Sequence, residues 1–445
     1  MGFLRRIFSS KAAKTGFQAS VRPSVCFGRE HLRDAIMDGA GHCGCVLLFG
    51  GRQSGKTTIL RAVEADLSVA SVEPHASYKA QVPVYMDLMK LPYDATPPDF
   101  FQLAVELATR ACASRVDGFK TGANPRRGAE RRTVEGFKSE MLRLEEATGV
   151  QLQFVFLLDE AKRVLTTRFP RGFQDNLFAL MFGDASGPYS FVLVGAQELY
   201  RLCEDSTSPI GSRAAKRFVC NLRSDALSEI IRLHQPNIDD AVLQERTALL
   251  YHQTGGHAGL STALARRFAD LPGASANDLG PLIEAVQRER SELFQMWIHN
   301  FSPEARAVGE ALMISGHMTI EEMAAHLRSS DLPPYRADRA SEELQFTGVA
   351  IADGKQVVSV NTMYIETARR YVVAERGAAC EQELWALIRE AETGLRQLIR
   401  SEFNKKWPGS ANAQIRAILG EQAWRALDEM RAKNEKSYSH TARTL

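Results

Sequence analysis

Over the first two hundred positions, apolar residues gather in short, nearly unbroken runs separated by stretches with helical spacing. Cys45-Val46-Leu47-Leu48-Phe49 is one such run. It ends at glycine, and Thr57-Thr58-Ile59-Leu60-Arg61-Ala62-Val63 follows, so the pattern predicts strand, glycine loop and helix. Val82 to Leu88 predicts a second strand, where Pro83 limits the early pairing because it has no N–H to donate. Helices are expected from Phe100 to Ala113 and from Val134 to Thr148. Phe154 to Leu158 and Phe191 to Val194 read as further strands, buried on both faces and therefore parallel, since they are continuous in apolar residues and alternate with helices.

Beyond Asp225 the period changes. Residues 225 to 296 read as helical throughout, interrupted at Gly255-Gly256 and at Pro272-Gly273. Three short helical patterns follow, Glu304 to Ile314, Thr319 to Arg328 and Arg336 to Gln345, and then two strand-like pieces, Val349 to Ile351 and Gln356 to Ser359. Three helices and a hairpin predict a winged-helix shape. Residues 381 to 431 are again helical, with an interruption at Pro408-Gly409. Between the helices that end near Ala113 and begin near Val134, four glycine or proline positions sit among Arg115, Lys120, Arg126, Arg127, Arg131 and Arg132, which predicts an exposed basic loop over 114–132.

With 445 residues the chain exceeds one ordinary core, and a prior of ~150 residues per domain suggests two to four. The expected divisions are an N-terminal arm over 1–25, a core over 26–222, a helical lid over 223–298, a winged helix over 299–376 and a C-terminal helical domain over 377–445. The arm has Arg5 and Arg6 but no long apolar stretch, unlike a secretory signal, and Arg6 occupies the place where a myristoylation motif wants Ser or Thr. No apolar run approaches the ~18 residues of a membrane span. Seven cysteines, an odd number, fit reduced thiols and a cytoplasmic location. The net charge of +2 selects no class of partner. His42-Cys43-Gly44-Cys45 lacks a second ligand pair at zinc-site spacing, so no metal is expected there.

The chemistry concentrates in Gly50-Gly51-Arg52-Gln53-Ser54-Gly55-Lys56-Thr57, with Thr58 next to it. Gly50 and Gly55 allow a tight turn that brings N–H groups against phosphate oxygens. Lys56 reaches the β- and γ-phosphates, Thr57 offers a hydroxyl to Mg²⁺, and the helix N-terminus favours negative charge. ATP with Mg²⁺ is the expected ligand. Leu157-Leu158-Asp159-Glu160 ends a strand on two acids: Asp159 suits the metal's coordination shell, and Glu160 suits polarisation of an attacking water, which favours hydrolysis over simple binding. Gln197, just past the run ending at Gly195, is a candidate γ-phosphate sensor, although an ordinary loop glutamine would look the same.

Together with Phe27-Gly28-Arg29-Glu30, Ser208 to Arg213 and Gly255-Gly256-His257-Ala258, these motifs resemble the STAND branch of AAA+-related ATPases over about residues 26–298. The resemblance implies that Gly28 and Arg29 lie near the base, that Arg213 senses the nucleotide or acts on that of a neighbouring subunit, and that Gly256 and His257 bring the lid onto the nucleotide. Ala258 replaces the family's proline. Arg217 is placed one helical turn beyond Arg213. The 299–375 segment resembles the winged helices that follow such cores, and the balanced charge of Arg336, Asp338, Arg339, Glu342 and Glu343 favours packing or autoinhibition over DNA reading. Residues 381–431 resemble HEPN-related helical domains through Glu383 to Arg389 and Trp407, but Arg431 and His440 stand too far apart for a HEPN nuclease motif. The fold expected is therefore an α/β P-loop NTPase core with a parallel sheet, a helical lid, a winged-helix domain and a C-terminal helical segment. The resemblance implies an ATP-hydrolysing molecular switch in bacterial signalling or antiviral defence, forming a homo-oligomer with a protein effector. A DNA-handling ATPase, akin to replication initiators or transposition regulators and gripping nucleic acid through residues 114–132 and the winged helix, is the alternative. A scaffold with a decayed ATPase is disfavoured by the intact Lys56, Thr57, Asp159 and Glu160.

Overall fold

In the computed structural model, the structure describes residues 26–41, 44–69, 80–114, 133–149, 151–164, 169, 171–182, 189–204, 208, 210–271 and 276–371, with scattered positions between 390 and 425. The basic loop over 115–132, the N-terminal arm, His42, Cys43, Arg431 and His440 lie outside the described residues.

Strands β1 (Cys45–Gly50), β2 (Ala80–Asp87), β3 (Leu152–Asp159), β4 (Tyr189–Gly195) and β5 (Ala215–Val219) form one sheet in the order β2-β3-β4-β1-β5, and every pairing is parallel. Each residue of β1, β3 and β4 is buried, as unbroken apolar runs covered on both faces must be. One face of the sheet presents Val46, Leu48, Val155, Leu157, Val192 and Val194 to α1 (Glu30–Gly41) and α2 (Lys56–Val69). The other presents Phe49, Phe154, Phe156, Leu158, Phe191 and Leu193 to α3 (Pro97–Ala113), α4 (Val134–Thr148) and α5 (Arg171–Phe182). The period-2 alternation of strand side chains divides these sets. Helix α4 keeps the limits read from the sequence because Thr133 Oγ1 accepts the Gly136 N–H at its start, and Gly149 adopts φ 68° at its end.

The edges of the sheet explain two departures from the sequence reading. Strand β2 tolerates Pro83 because it lies at the edge and bonds only to β3. Strand β5, which escaped the sequence reading, is the opposite edge. Its Ala-Lys-Arg-Phe-Val is half-exposed and too polar to stand out as a run. Arg217 lies within β5, opposite Leu48, and so not on a helical turn after Arg213 as expected.

Helix α6 (Gln197–Glu204) follows β4. After β5 come α7 (Ser224–His234), α8 (Asp240–Thr254), α9 (Ala258–Asp270), α10 (Gly280–Glu289) and α11 (Ser291–Asn300), so the stretch read as continuously helical also breaks at 235–239. Arg246, 1% exposed, binds this group together: its guanidinium donates to Gln235 Oε1 at 2.8 Å, Phe268 O at 3.0 Å and Leu271 O at 2.8 Å. Next, α12 (Pro303–Ser315), α13 (Ile320–Ser329) and α14 (Ala337–Thr347) surround a small antiparallel sheet in the order β6-β8-β7, made of β6 (His317–Thr319), β7 (Ala350–Asp353) and β8 (Gln356–Ser359). The three-residue β6 is too short to have a readable alternation.

The chain divides into two compact units, Met1–Arg369 and Arg370–Leu445. The second is helical at most of its described positions and carries a Lys405–Glu402 ion pair of 2.7 Å. Among the described residues no helix is long and apolar enough to cross a membrane. Because Arg246 satisfies one buried and one part-buried main-chain carbonyl, Arg246→Met should lower stability by about 1–3 kcal/mol, the loss expected when a buried acceptor is left without its partner. Urea unfolding followed by circular dichroism measures this, and an unchanged midpoint would show that water replaces the guanidinium.

Candidate active site

Parallel pairing brings the carboxyl ends of the strands to one edge of the sheet. Phe49 is opposite Gly195 and Leu158 is opposite Leu193, so the loop after β1, the acids closing β3 and the start of α6 after β4 converge there. Gly50 closes β1 and α2 begins at Lys56. The first N–H to reach back four residues is that of Ile59, 3.0 Å from Gly55 O, which leaves the N–H groups before it without intrahelical acceptors. Those of Lys56, Thr57 and Thr58 make an anion-favouring helix end. A Cβ on Gly50 would stand 2.5 Å from Ser54 Oγ and 2.9 Å from the Val219 Cβ, so only glycine fits at the neck of the loop.

Lys56 is 8% exposed and folds back on its own loop, donating to Gly50 O at 2.9 Å and Gly51 O at 2.6 Å. Burial lowers its ammonium to about 8, opposed by Glu160 and Asp159, with Arg52 adding to the lowering. Asp159 is 5% exposed. Its Oδ2 accepts from Thr57 Oγ1 at 2.7 Å and from Tyr85 Oη at 3.0 Å, and its Oδ1 accepts from the Glu160 N–H at 3.1 Å. Glu160 has φ 55°, a left-handed conformation unusual for a residue with a side chain, and it turns the chain sharply off β3. Gln197 is the first residue of α6, 2% exposed, and its Nε2 has no partner.

These groups fit a magnesium nucleotide. Ser54 Oγ and Gln197 Nε2 are buried beside the loop without hydrogen-bond partners, and buried polar atoms are ordinarily paired. The buried lysine, the adjoining hydroxyl and carboxylate of Thr57 and Asp159, and the N–H groups of the helix end that have no intrahelical acceptor supply what triphosphate oxygens and a hard cation require.

The remaining sequence-derived residues separate into those near this loop and those away from it. His257 caps α9: its Nδ1 accepts the Leu260 N–H at 3.3 Å, so its Nε2 carries the proton and donates to Arg52 O at 3.1 Å. Burial drives its pKa down to about 3, with smaller contributions from Lys56, Arg29 and Arg290, so the ring stays neutral. The turn before it survives Ala258 because Gly255 and Gly256 supply the positive φ values of 60° and 83°. Gly256 is fixed by the Leu222 N–H on its carbonyl at 2.8 Å. The buried Arg29 guanidinium donates to Cys220 O, just past β5, and its charge reaches His257, while Gly28 packs on Ala226. Arg213 is exposed, with its guanidinium carbon 5.4 Å from the Phe178 ring centroid on α5. It precedes Ala215, which pairs with Val46 near the start of β1, whereas the loop follows the end of β1. Four strand residues at ~3.3 Å each separate those levels.

Gly51 corrects the simplest assignment. It belongs to the loop read as nucleotide-binding, but its N–H donates to Phe346 O at the end of α14, at 2.7 Å. A Cβ there would come within 2.9 Å of the Thr347 backbone, so only glycine allows α14 this close. The sequence motifs also did not reveal Tyr85, whose position in a mixed apolar strand looks like core.

Residues 38–203 match the family model described as AAA domain, and the chain carries an AAA-type P-loop ATPase domain there. Compared with curated proteins, the chain has no match. Among solved structures it is similar to the Walker-type ATPase of Pyrococcus abyssi, with 16% identity and a TM-score of 0.53, over 80% of this chain and 99% of that one. It is also similar to the ORC2 protein of Aeropyrum pernix, at 14% identity and a TM-score of 0.43 over 84% and 98% of the two chains. A third similar structure is a STAND protein with a tetratricopeptide repeat sensor from Pyrococcus horikoshii, at 14% and 0.32, covering 78% of this chain and 42% of that one. At such identities the first likeness establishes the P-loop ATPase fold.

Two variants separate the roles of the lysine and the acid. Lys56→Ala should abolish binding of a fluorescent ATP analogue, whereas Glu160→Gln should retain it and lose turnover, because one group meets phosphate and the other only positions water. Equal loss of affinity in both would refute that division.

Proposed function

We propose that the chain is an ATP-driven molecular switch of the STAND type, in which α14 of a winged-helix module latches the phosphate-binding loop until ATP displaces it. The observation that carries this reading is the double engagement of Gly51. Its carbonyl accepts from Lys56 Nζ at 2.6 Å while its N–H is held by Phe346 O at 2.7 Å. Phosphate that draws Lys56 away removes one of the three bonds fixing Gly51, leaving its carbonyl with only the longer 3.3 Å bond from the Ser54 N–H, and thereby loosens the seat of α14. A ligand shifts such an equilibrium only by its difference in affinity for the two states, and the lysine supplies that difference.

The latch has further contacts. Tyr200 Oη on α6 donates to Glu342 Oε2 at 2.6 Å, Arg339 pairs with Glu204 at 3.1 Å, and the Phe346 ring lies parallel to Phe218 at 5.9 Å and tilted to Tyr200 at 5.1 Å. The lid turn joins it: Asn221 Nδ2 donates to Gly348 O at 3.2 Å, and a Cβ on Gly348 would meet the His257 ring at 2.7 Å. A DNA-handling role would need α14 free to enter a groove, but Arg339, Glu342 and Phe346 are occupied.

In turnover, Thr57 and Asp159 would hold the magnesium, which supplies charge stabilisation on the phosphates when bound with ATP. Lys56 contacts the β- and γ-phosphates, Glu160 orients the attacking water, and Gln197 reads the γ-phosphate. Arg213 cannot reach the loop of its own chain, and acts on the nucleotide of a neighbouring copy in a homo-oligomer. The STAND resemblance extends this reading to cytoplasmic signalling or defence through a protein effector. Its test is co-purification with ATP from the native host: sequence-independent DNA retention in place of a protein would favour the alternative.

The latch is tested by Arg339→Ala combined with Glu342→Ala. Two ties of about 0.5–1.5 kcal/mol each are removed, so nucleotide association should quicken by about tenfold. ATP should also raise hydrogen exchange over 337–348 in the unaltered chain. Wild-type association rates, with exchange indifferent to ATP, would count against the switch. The intersubunit role predicts that Arg213→Ala alone lowers turnover by about 10³-fold with little change in binding. Mixing it with Glu160→Gln subunits should restore part of the activity, and wild-type turnover in Arg213→Ala would remove the assignment.

A further inference from the structure

Asp159 is positioned from outside the two nucleotide motifs. Tyr85 on β2 pairs in register with Leu157, two residues before Asp159 on the adjacent strand. Residues i and i+2 of a strand share a face, so the Tyr85 side chain projects on the same face as Asp159 and is its diagonal neighbour. The phenol spans the diagonal and donates to Asp159 Oδ2 at 3.0 Å, the oxygen that also accepts from Thr57 Oγ1 at 2.7 Å.

Helix α2 acts on both donors. Thr57 and Arg61 are four residues apart and lie on one face of it. Thr57 reaches the carboxylate directly. Arg61 covers the Tyr85 ring, its guanidinium carbon 3.3 Å from the centroid, and is itself held by Glu64 Oε2 at 2.7 Å. A cation over the ring face draws on its electron density and strengthens the hydroxyl as a donor. Glu64 and Tyr85 together line a cleft of about 330 Å³, shared with Pro83, Leu107 and Arg110, so this supporting chain lies along the exposed edge of the sheet.

Resting on the magnesium-nucleotide reading of the site, we propose that Tyr85 is a positioning residue that holds Asp159 in its metal-binding orientation, with Arg61 holding Tyr85. Thr57 and Asp159 would hold the metal, and with the Thr57 hydroxyl given over to it Oδ2 would keep the phenol as its donor. β2 is paired with β3 from Ala80 to Asp87, so the phenol does not drift from its partner. The carboxylate then stays aimed at the metal without having to be reoriented at each turnover.

The test uses the full chain, Mn²⁺ and a non-hydrolysable ATP analogue, with free Mn²⁺ read by electron paramagnetic resonance. Tyr85→Phe keeps the ring and deletes the donor. It should weaken Mn²⁺ binding in the presence of nucleotide by about tenfold, the low end of what loss of a metal ligand's hydrogen-bond partner costs. The Mg²⁺ concentration for half-maximal turnover should rise by a similar factor, while analogue binding in EDTA stays as in the unaltered chain and certifies the fold. Arg61→Ala should shift the same readouts in the same direction by less, and Arg61→Lys should recover part of the loss. Wild-type Mn²⁺ affinity and Mg²⁺ requirement in Tyr85→Phe would overturn the inference alone. Failure of the unaltered chain to bind Mn²⁺ with nucleotide would overturn the reading on which it rests, and the inference with it.

Discussion

The parallel register of β1, β3 and β4 is the constraint from which the site follows. Because these strands run together and end at one edge, the sheet delivers Gly50, Asp159 and Gln197 to a common place without requiring any of them to contact another. Burial on both faces makes the register stiff, since a one-residue slip would exchange the aliphatic face against α1 and α2 for the aromatic face against α3 to α5. The aromatic face is itself interlocked, with Phe156 stacked on Phe191 at 5.1 Å and Phe137 tilted against Phe156 at 5.7 Å. Chemistry at the sheet edge thus inherits its precision from apolar packing well away from it.

Much of this was legible in the sequence wherever one physical rule dominated. Buried strands announce themselves as apolar runs, and the glycine loop must have glycine where Val219 and Ser54 press against it, so β1, β3, β4 and the loop were readable. The strand β5 was not, because an edge strand with Lys216 and Arg217 half in solvent has no pattern to distinguish it from a loop. Long-range partners were also hidden. Nothing local to Gly51 indicates that Phe346, almost three hundred residues later, would take its N–H, and nothing local to Tyr85 indicates Asp159. Arg29 is a third case: nothing local to it indicates that its buried guanidinium would take the Cys220 carbonyl as acceptor. Sequence pattern reports what a segment buries and seldom what it meets.

The electrostatics of the loop give the same picture from another side. A buried ammonium that donates only to the carbonyls of its own loop is poorly compensated, which is why burial pulls Lys56 down so far despite two acids nearby. Neutral His257 beside it avoids adding a further positive charge; its Nε2 bond to Arg52 O joins the Gly255-Gly256 turn to the loop, and its Nδ1 bond within α9 fixes which nitrogen carries the proton. The result is a loop with an excess of donors, the electrostatic setting that suits an anion.

Glu160 carries its carboxylate on a backbone in the left-handed region, where a residue with a Cβ is strained by on the order of 1 kcal/mol or more and glycine is not. The position most comfortable for glycine is therefore occupied by an acid. In the proposed mechanism, Glu160→Gly would trade reactivity for backbone ease, so the fold and the proposed chemistry make opposite demands on this single turn.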